Sequence, residues 1–199
     1  MVIYLIGSLK RYFSQNSKWF LVSLSVWIAA VICAIVCAAG TEGKVFDETF
    51  EYVSASFANG ASVRTLLGNA IYSDFKYVLF ITLSSTAPVL LPITMILIAF
   101  KGFSAGFTAT MIIKIYSLKG IAVSMLTIVL PMFFSLPVYF VIFVSTLKYS
   151  GEKLKLPSNR KGDEKKLTSH LLSQFILFGL LCITDVIQAL FTLTAQTMI

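Results

Sequence analysis

The chain has 199 residues, of which 57% are hydrophobic and only 13% are charged, and its mean hydropathy is +0.87. A soluble domain has about 45–50% apolar and about 25% charged residues, so a soluble fold of this size could not hide so much apolar surface. The net charge of +7 would suggest nucleic acid in a soluble protein, but in a membrane protein it indicates cytoplasmic loops, so we expect an all-α polytopic membrane protein without a nucleic-acid partner.

The chain divides into five apolar segments, which predict five transmembrane helices in one membrane domain, 1–199. Residues 19–39 carry no charge over a length that crosses a hydrocarbon core of about 30 Å. This stretch is longer than the apolar part of a signal peptide, so we expect an uncleaved first span. The other predicted spans are 77–100, 101–117, 120–147 and 171–193. Segment 101–117 is the shortest and most polar, and a re-entrant segment is the alternative there.

The segment between the first two spans, 40–76, has apolar residues at helical spacing. They predict two short amphipathic helices separated by a turn at Asn59-Gly60. One interpretation is that these helices only cover the bundle. The other is a docking face for partner proteins, formed by Phe46, Phe50, Val53 and Phe57.

The distribution of basic residues predicts the orientation. Segment 148–170 carries seven basic and three acidic residues, whereas 40–76 carries three basic and five acidic residues. Because cytoplasmic loops are enriched in Lys and Arg, we expect 148–170 and the N-terminus inside the cell. The plasma membrane would then hold five spans, with 40–76 and the C-terminus outside, and the basic loop close to anionic lipid.

Residues 101–107, KGFSAGF, contain the G-x-S-x-G spacing of a hydrolase nucleophile elbow. Ser104, Asp163 and His170 even follow the chain order of an α/β-hydrolase triad. That fold needs alternating strands and helices, and this chain shows no such alternation. A zinc site needs about four ligands, and the single His is remote from the three Cys residues. We therefore expect no enzyme activity, catalytic residue, metal or cofactor.

The same stretch has the G-x-x-x-G spacing of close helix–helix contacts in membranes. Small residues let two backbones approach, which is a main source of helix association in lipid. The predicted packing face consists of Gly102, Ala105, Gly106 and Ala109. It would pack within the bundle or against a second copy of the chain.

Four prolines fall inside the second and fourth predicted spans. Each proline removes a backbone N–H and frees a carbonyl, which nearby Ser and Thr hydroxyls can satisfy in lipid. Pro88, Pro92, Pro131 and Pro137 therefore predict kinks. Shape-setting kinks in a compact bundle are one interpretation, and the broken helices of a transporter are the other.

Two charged residues lie inside predicted spans, where charges are costly and usually face a partner. Counted at 1.5 Å per residue from the predicted inner ends, 101 and 171, Lys114 lies about 20 Å and Asp185 about 21 Å deep. The matching depths predict an intramembrane Lys114–Asp185 ion pair.

Two stretches carry a resemblance to a known family. FKGFSAGFTATMI (100–112), a loop that ends in Lys119-Gly120, and IAVSMLTIVLPMFFSLPVYFVIF (121–143) resemble the stage II sporulation protein M family. The resemblance covers about 80–150. It implies a non-enzymatic scaffold that holds a cell-wall amidase and a lytic transglycosylase at the septal membrane during engulfment. The sequence thus favours a membrane scaffold for peptidoglycan remodelling, with a small transporter or permease subunit as the alternative.

Overall fold

The computed structural model describes residues 14–58, 62–86, 88–155 and 160–197, and within these ranges it is helical without any strand. Two shorter elements separate some of the α-helices. A 3-10 turn, Pro88–Leu90, lies between the helix that ends at Thr86 and the one that begins at Leu91, and a π-helical stretch, Met125–Val129, lies between the helix that ends at Ser124 and the one that begins at Leu130. The helices are α1 Ser17–Ala39, α2 Lys44–Ala58, α3 Val63–Thr86, α4 Leu91–Ser124, α5 Leu130–Lys155 and α6 Arg160–Gln196.

Three stretches of the described chain are long and apolar enough to cross a membrane, namely Ser17–Ala39, Pro92–Lys153 and Lys166–Gln196. The surface of these helices is rich in exposed apolar side chains, including Ile32, Phe133 and Phe175. Soluble monomeric proteins rarely expose so much apolar surface to water. The structure is therefore that of a multi-pass, all-helical membrane protein.

The helix boundaries around α3 and α4 differ from those predicted. The sequence predicted spans over 77–100 and 101–117, but α3 ends at Thr86 and α4 begins at Leu91. Pro88 lies in the intervening turn and Pro92 in the first turn of α4, where proline leaves no hydrogen bond unmade. These two prolines separate helices rather than kinking one, so the KGFSAGF stretch lies in the middle of α4.

A second reversal occurs inside α4, at Ser117. This residue has φ 53° and ψ −125°, values that match the first central position of a type II′ turn, where glycine is preferred. The chain folds back so closely that a Cβ on Gly120 would lie 2.8 Å from the Cα of Ile113. Helix α4 therefore consists of two antiparallel arms, 91–116 and 118–124, and the second arm continues towards α5.

The remaining prolines lie beyond this reversal. Pro131 lies in the first turn of α5, just after the π-helical stretch and Leu130, and Pro137 lies further inside α5. Within the π-helical stretch the Thr127 hydroxyl donates to the Val123 carbonyl oxygen at 2.8 Å. A hydroxyl thus satisfies a carbonyl beside the irregular backbone, as expected for a helix in an apolar medium.

Helix α1 packs along the 91–116 arm of α4 through glycine. A Cβ on Gly102 would lie 2.8 Å from the Trp27 carbonyl oxygen, and one on Gly106 would lie 2.9 Å from the Val31 carbonyl oxygen. The contact residue on α1 moves four residues forward, from Trp27 to Val31, as the glycine on α4 moves four residues forward, from Gly102 to Gly106. The two helices therefore run in the same direction. Ala105 and Ala109 lie beside this contact, in a groove of about 410 Å³ that α1, α4, the π-helical stretch and α5 line mainly with apolar side chains.

The described residues form two apolar cores. The central one joins α3, α4, α5 and α6, and Phe20 of α1 packs edge-on against Phe140, with ring centroids 5.5 Å apart. The second core, built from Val53, Ile112, Val123 and Ala195, attaches α2 to one end of the bundle. We call that end the α2 end; the Pro88–Leu90 turn lies at the opposite end. The central core comprises Val78, Ile81, Ile98, Tyr139, Phe140, Ile142, Phe143, Leu147 and Leu181.

Candidate functional site

Four helices meet around a buried cluster of charged and phenolic side chains. The Lys101 ammonium group of α4 lies 3.1 Å from Asp74 Oδ1 of α3 and donates to the Tyr139 hydroxyl of α5 at 2.8 Å. The Tyr139 hydroxyl also lies within hydrogen-bonding reach of Asp74. Asp185 of α6 completes the cluster beside Asp74. We call these four residues the polar cluster.

The ammonium group of Lys101 is held by aromatic rings as well. Its Nζ lies 4.4 Å from the Tyr139 ring centroid and 4.9 Å from the Tyr77 ring centroid. A cation over an aromatic face is attracted by the ring, and more strongly where water is partly excluded; the Lys101 side chain is 23% exposed. Lys101 is thus fixed by a carboxylate, a hydroxyl and two rings, and little freedom remains to its side chain.

Asp185 is the most deeply buried charged residue of the cluster. It is 2% exposed, against 6% for Asp74. Its Oδ2 atom is buried and accepts no hydrogen bond, which is costly for a group that can take about four. Asp185 is therefore the member of the cluster with the poorest local compensation.

A polar cavity of about 230 Å³ opens beside the cluster. Its wall includes Asp74, Lys101 and Tyr139, together with hydroxyl and amide side chains from α3, α4, α5, α6 and the π-helical stretch. These additional polar residues are Ser73, Ser104, Thr108, Thr127, Ser135 and Gln188. Such a cavity can hold water or a small polar solute next to an ion pair, and polar sites of this kind mark function in membrane proteins.

The predicted Lys114–Asp185 ion pair is absent. Lys114 lies at the α2 end, where its Nζ donates to the carbonyl oxygens of Thr41 at 2.6 Å and Ala39 at 3.1 Å. The depth was counted from residue 101, but α4 begins at Leu91, which places Lys114 about 35 Å along the helix. A cation there meets the unsatisfied carbonyls at the C-terminal end of α1, while Asp185 faces Asp74.

The predicted docking face on 40–76 is split between two surfaces of α2. Val53 is buried in the second core, whereas Phe50 is 45% exposed. Phe46 lies between them and receives the Lys114 ammonium group 5.2 Å from its ring centroid. The Phe57 side chain lies outside the described part of the structure. Among the described side chains of α2, Phe50 and its apolar neighbour Val45 are therefore available to a partner.

The residues of the hydrolase motif lie in different surroundings. Ser104 lines the polar cavity, whereas His170 stacks on Tyr149 with ring centroids 4.6 Å apart. The Asp163 side chain is not among those described. Where side chains are described, no three His, Cys, Asp or Glu residues come together as a metal site.

Sequence reasoning missed Asp74, Lys101 and Tyr139. Asp74 was assigned to the segment outside the membrane, and Lys101 to the inner end of the predicted span 101–117. If Pro88 and Pro92 are instead taken as turn markers, Asp74 lies about 18 Å before the end of α3 and Lys101 about 15 Å after the start of α4. Matching depths on helices joined by a short turn would have predicted the pair.

Comparisons with protein-family models, with curated proteins and with solved structures find no match for this chain.

Proposed function

We propose that the chain is a non-enzymatic membrane scaffold whose α2 end recruits partner proteins on the outer side of the cell membrane. The resemblance to the stage II sporulation protein M family suggests what these partners are, namely peptidoglycan-remodelling enzymes such as an amidase and a lytic transglycosylase. A scaffold needs a rigid membrane body and an exposed surface that the body holds in place.

The main observation in support of this proposal is that α2 is packed against the bundle along one side only. Val53 packs into the second core, and Lys114 connects α4 to the backbone at the end of α1 and to the Phe46 ring. Two independent contacts thus hold one side of α2, while Phe50 and Val45 remain exposed. An exposed apolar patch on a fixed helix is typical of an interaction surface.

The proposal includes an orientation with five crossings. The crossing segments would be α1, α3, 91–116, 118–155 and α6. In this arrangement the boundaries of the membrane spans differ from those predicted from the sequence. The side of the membrane assigned to each end of the bundle is unchanged, with the N-terminus inside and the α2 end outside. The Lys- and Arg-rich segment 148–170 would then remain cytoplasmic, as the positive-inside rule requires.

Crosslinking and affinity capture from native membranes tests the scaffold. We expect wall hydrolases to be captured with the unmodified chain and lost with Phe50→Ser. Val89→Ser is the matched control, because Val89 is 84% exposed but lies in the turn at the opposite end. If Phe50→Ser captures the same hydrolases as Val89→Ser, or the unmodified chain captures none, the proposed function is wrong.

A second candidate, a small transporter or permease subunit, is favoured by the polar cavity. The cavity lies between the helices of the bundle, where transporters bind their substrates. The test is uptake of small polar solutes, such as glycine or glycerol, into proteoliposomes. Uptake by the unmodified chain that is abolished by Thr108→Val would support the transporter. Ser84→Ala is the control, since Ser84 bonds to Thr94 and Ile81 rather than lining the cavity. Uptake equal to that of protein-free liposomes would eliminate this candidate.

A further inference from the structure

The charges in the polar cluster do not balance. The titratable or charged groups that face it are Asp74 and Tyr77 from α3, Lys101 from α4, Tyr139 from α5, and Asp185 and Cys182 from α6. Within the described structure Lys101 is the one cation among them, and there are two carboxyl groups. If both carboxyls were ionised, the centre of the bundle would hold an uncompensated negative charge, which is very unfavourable away from water.

The two carboxyl groups are also adjacent. Asp185 lies within hydrogen-bonding reach of Asp74, and both are more than nine-tenths buried. Two carboxylates that share a site in this way do not both ionise readily. An oxygen-to-oxygen contact between them becomes favourable only when one of them carries a proton and donates it to the other.

The hydrogen-bond donors around the cluster stabilise the ionised form of Asp74 more than that of Asp185. Lys101 donates to Asp74 Oδ1 and to the Tyr139 hydroxyl, and that hydroxyl can donate to Asp74 in turn. Asp74 therefore has donors that stabilise its charge. Asp185 Oδ2 has none, so Asp185 is better suited to be the neutral acid.

We propose that Asp74 and Asp185 bind one exchangeable proton, carried by Asp185 and donated to the Asp74 carboxylate. The site lies at the contact between α3 and α6, beside a cavity that Asp74 lines. On release, the Asp185 O–H bond breaks and the proton passes by way of Asp74, which lines the cavity, to water, which leaves both carboxyl groups ionised. A metal cation fits the site less well, because the Lys101 ammonium group already lies against Asp74.

Proton release would act on the packing of the bundle. It would place two like charges between α3 and α6, which also meet through the Phe75–Phe178 ring contact, with centroids 5.7 Å apart. At low dielectric this repulsion is strong. The proton thus stabilises the contact between these helices, whichever of the two functions above is correct.

Infrared spectroscopy of the full chain in lipid nanodiscs tests the proposal, because protonated and ionised carboxyl groups absorb at different frequencies. Exposed Asp and Glu side chains titrate near pH 4, so a carboxylic-acid band at neutral pH reports a buried acid. We expect an intensity of one acid per chain, and its reversible loss as the pH is raised. We expect the band to be absent from Asp185→Asn and retained in Asp47→Asn, a control on the exposed side of α2.

The results that would overturn the proposal are distinct. The first is the absence of the acid band in the unmodified chain at neutral pH, which decides the matter even if Asp185→Asn does not fold. The second is a band that persists in a folded Asp185→Asn variant. The third is a band that disappears when Na⁺ replaces a bulky organic cation at constant pH, which would show that the site binds a metal cation.

Discussion

The two faces of α4 hold the bundle together in opposite ways. On one face, Gly102 and Gly106 bring the backbone of α4 against the backbone carbonyl oxygens of Trp27 and Val31 in α1, with the Trp27 indole ring beside Gly102. On another face, Lys101 binds Asp74, and Ser104 and Thr108 line a polar cavity.

The difference shows that the two contacts fail for different reasons. The glycine face depends on the absence of atoms, so it is sensitive to any added volume. The polar face depends on the presence of a partner for each charge, so it is sensitive to the loss of a single group. Neighbouring residues of one short motif, KGFSAGF, therefore carry steric and electrostatic roles that can be separated by mutation.

The largest effect is expected at the polar face. Lys101→Met removes the cation and leaves the Asp74 carboxylate without its counter-charge. Breaking a buried pair in this way destabilises by about 3–5 kcal/mol. Thermal unfolding in the same detergent measures it, with Lys119→Met as the control, because Lys119 is an exposed lysine at the α2 end. Equal stability of the two variants would show that the polar face is not essential for packing.

At the glycine face we expect a smaller loss. A Cβ at Gly106 would lie 2.9 Å from the Val31 carbonyl oxygen and 3.2 Å from the Ala34 Cβ, so Gly106→Ala should cost about 1–3 kcal/mol by overpacking. Gly179→Ala is the matched control, since a Cβ there meets nothing within 4 Å. Better helix propensity should raise the stability of that variant by up to about 1 kcal/mol. Losses of similar size in both variants would contradict the close contact.

The turn that ends the 91–116 arm offers a gain of stability. Ser117 has a positive φ of 53°, which costs a non-glycine residue about 1–3 kcal/mol. Ser117→Gly should therefore raise the midpoint of thermal unfolding, partly offset by the greater flexibility of glycine in the unfolded chain. Ser117→Ala keeps the Cβ and should change little. If alanine stabilised as much as glycine, the backbone strain would not be the cause.

The smallest perturbation tests the direction of the helices rather than their stability. In a chain whose Cys33, Cys37 and Cys182 are replaced by Ala, Leu118→Cys should react with an impermeant maleimide added outside intact cells. Leu118 is 84% exposed beside the reversal of α4. Val89→Cys, in the turn at the other end, should react only after the cells are opened. Outside labelling of both positions would contradict the crossing of 91–116.

Much of the architecture could be predicted from apolar content and small-residue spacing. Uncharged stretches such as 19–39 are helical because lipid requires each backbone group to bond within its own segment. The G-x-x-x-G spacing likewise indicated that Gly102 and Gly106 share one face. The turn positions were harder to predict, because a proline is compatible both with a kink inside a helix and with the start of a new one.

Composition and hydropathy alone establish that the chain is helical, apolar and poor in charges that could pair. Which of those charges meet depends on how the helices turn in the folded protein. Placing the turn at Pro88–Leu90 rather than at residue 100 shifts the positions along α4 by about 15 Å. Lys101, which was predicted to lie at the inner end of a span, consequently lies inside the bundle beside Asp74, and Lys114 lies at the end of α1. Charge pairing depends on distances of a few ångströms, and those distances follow from where the helices turn.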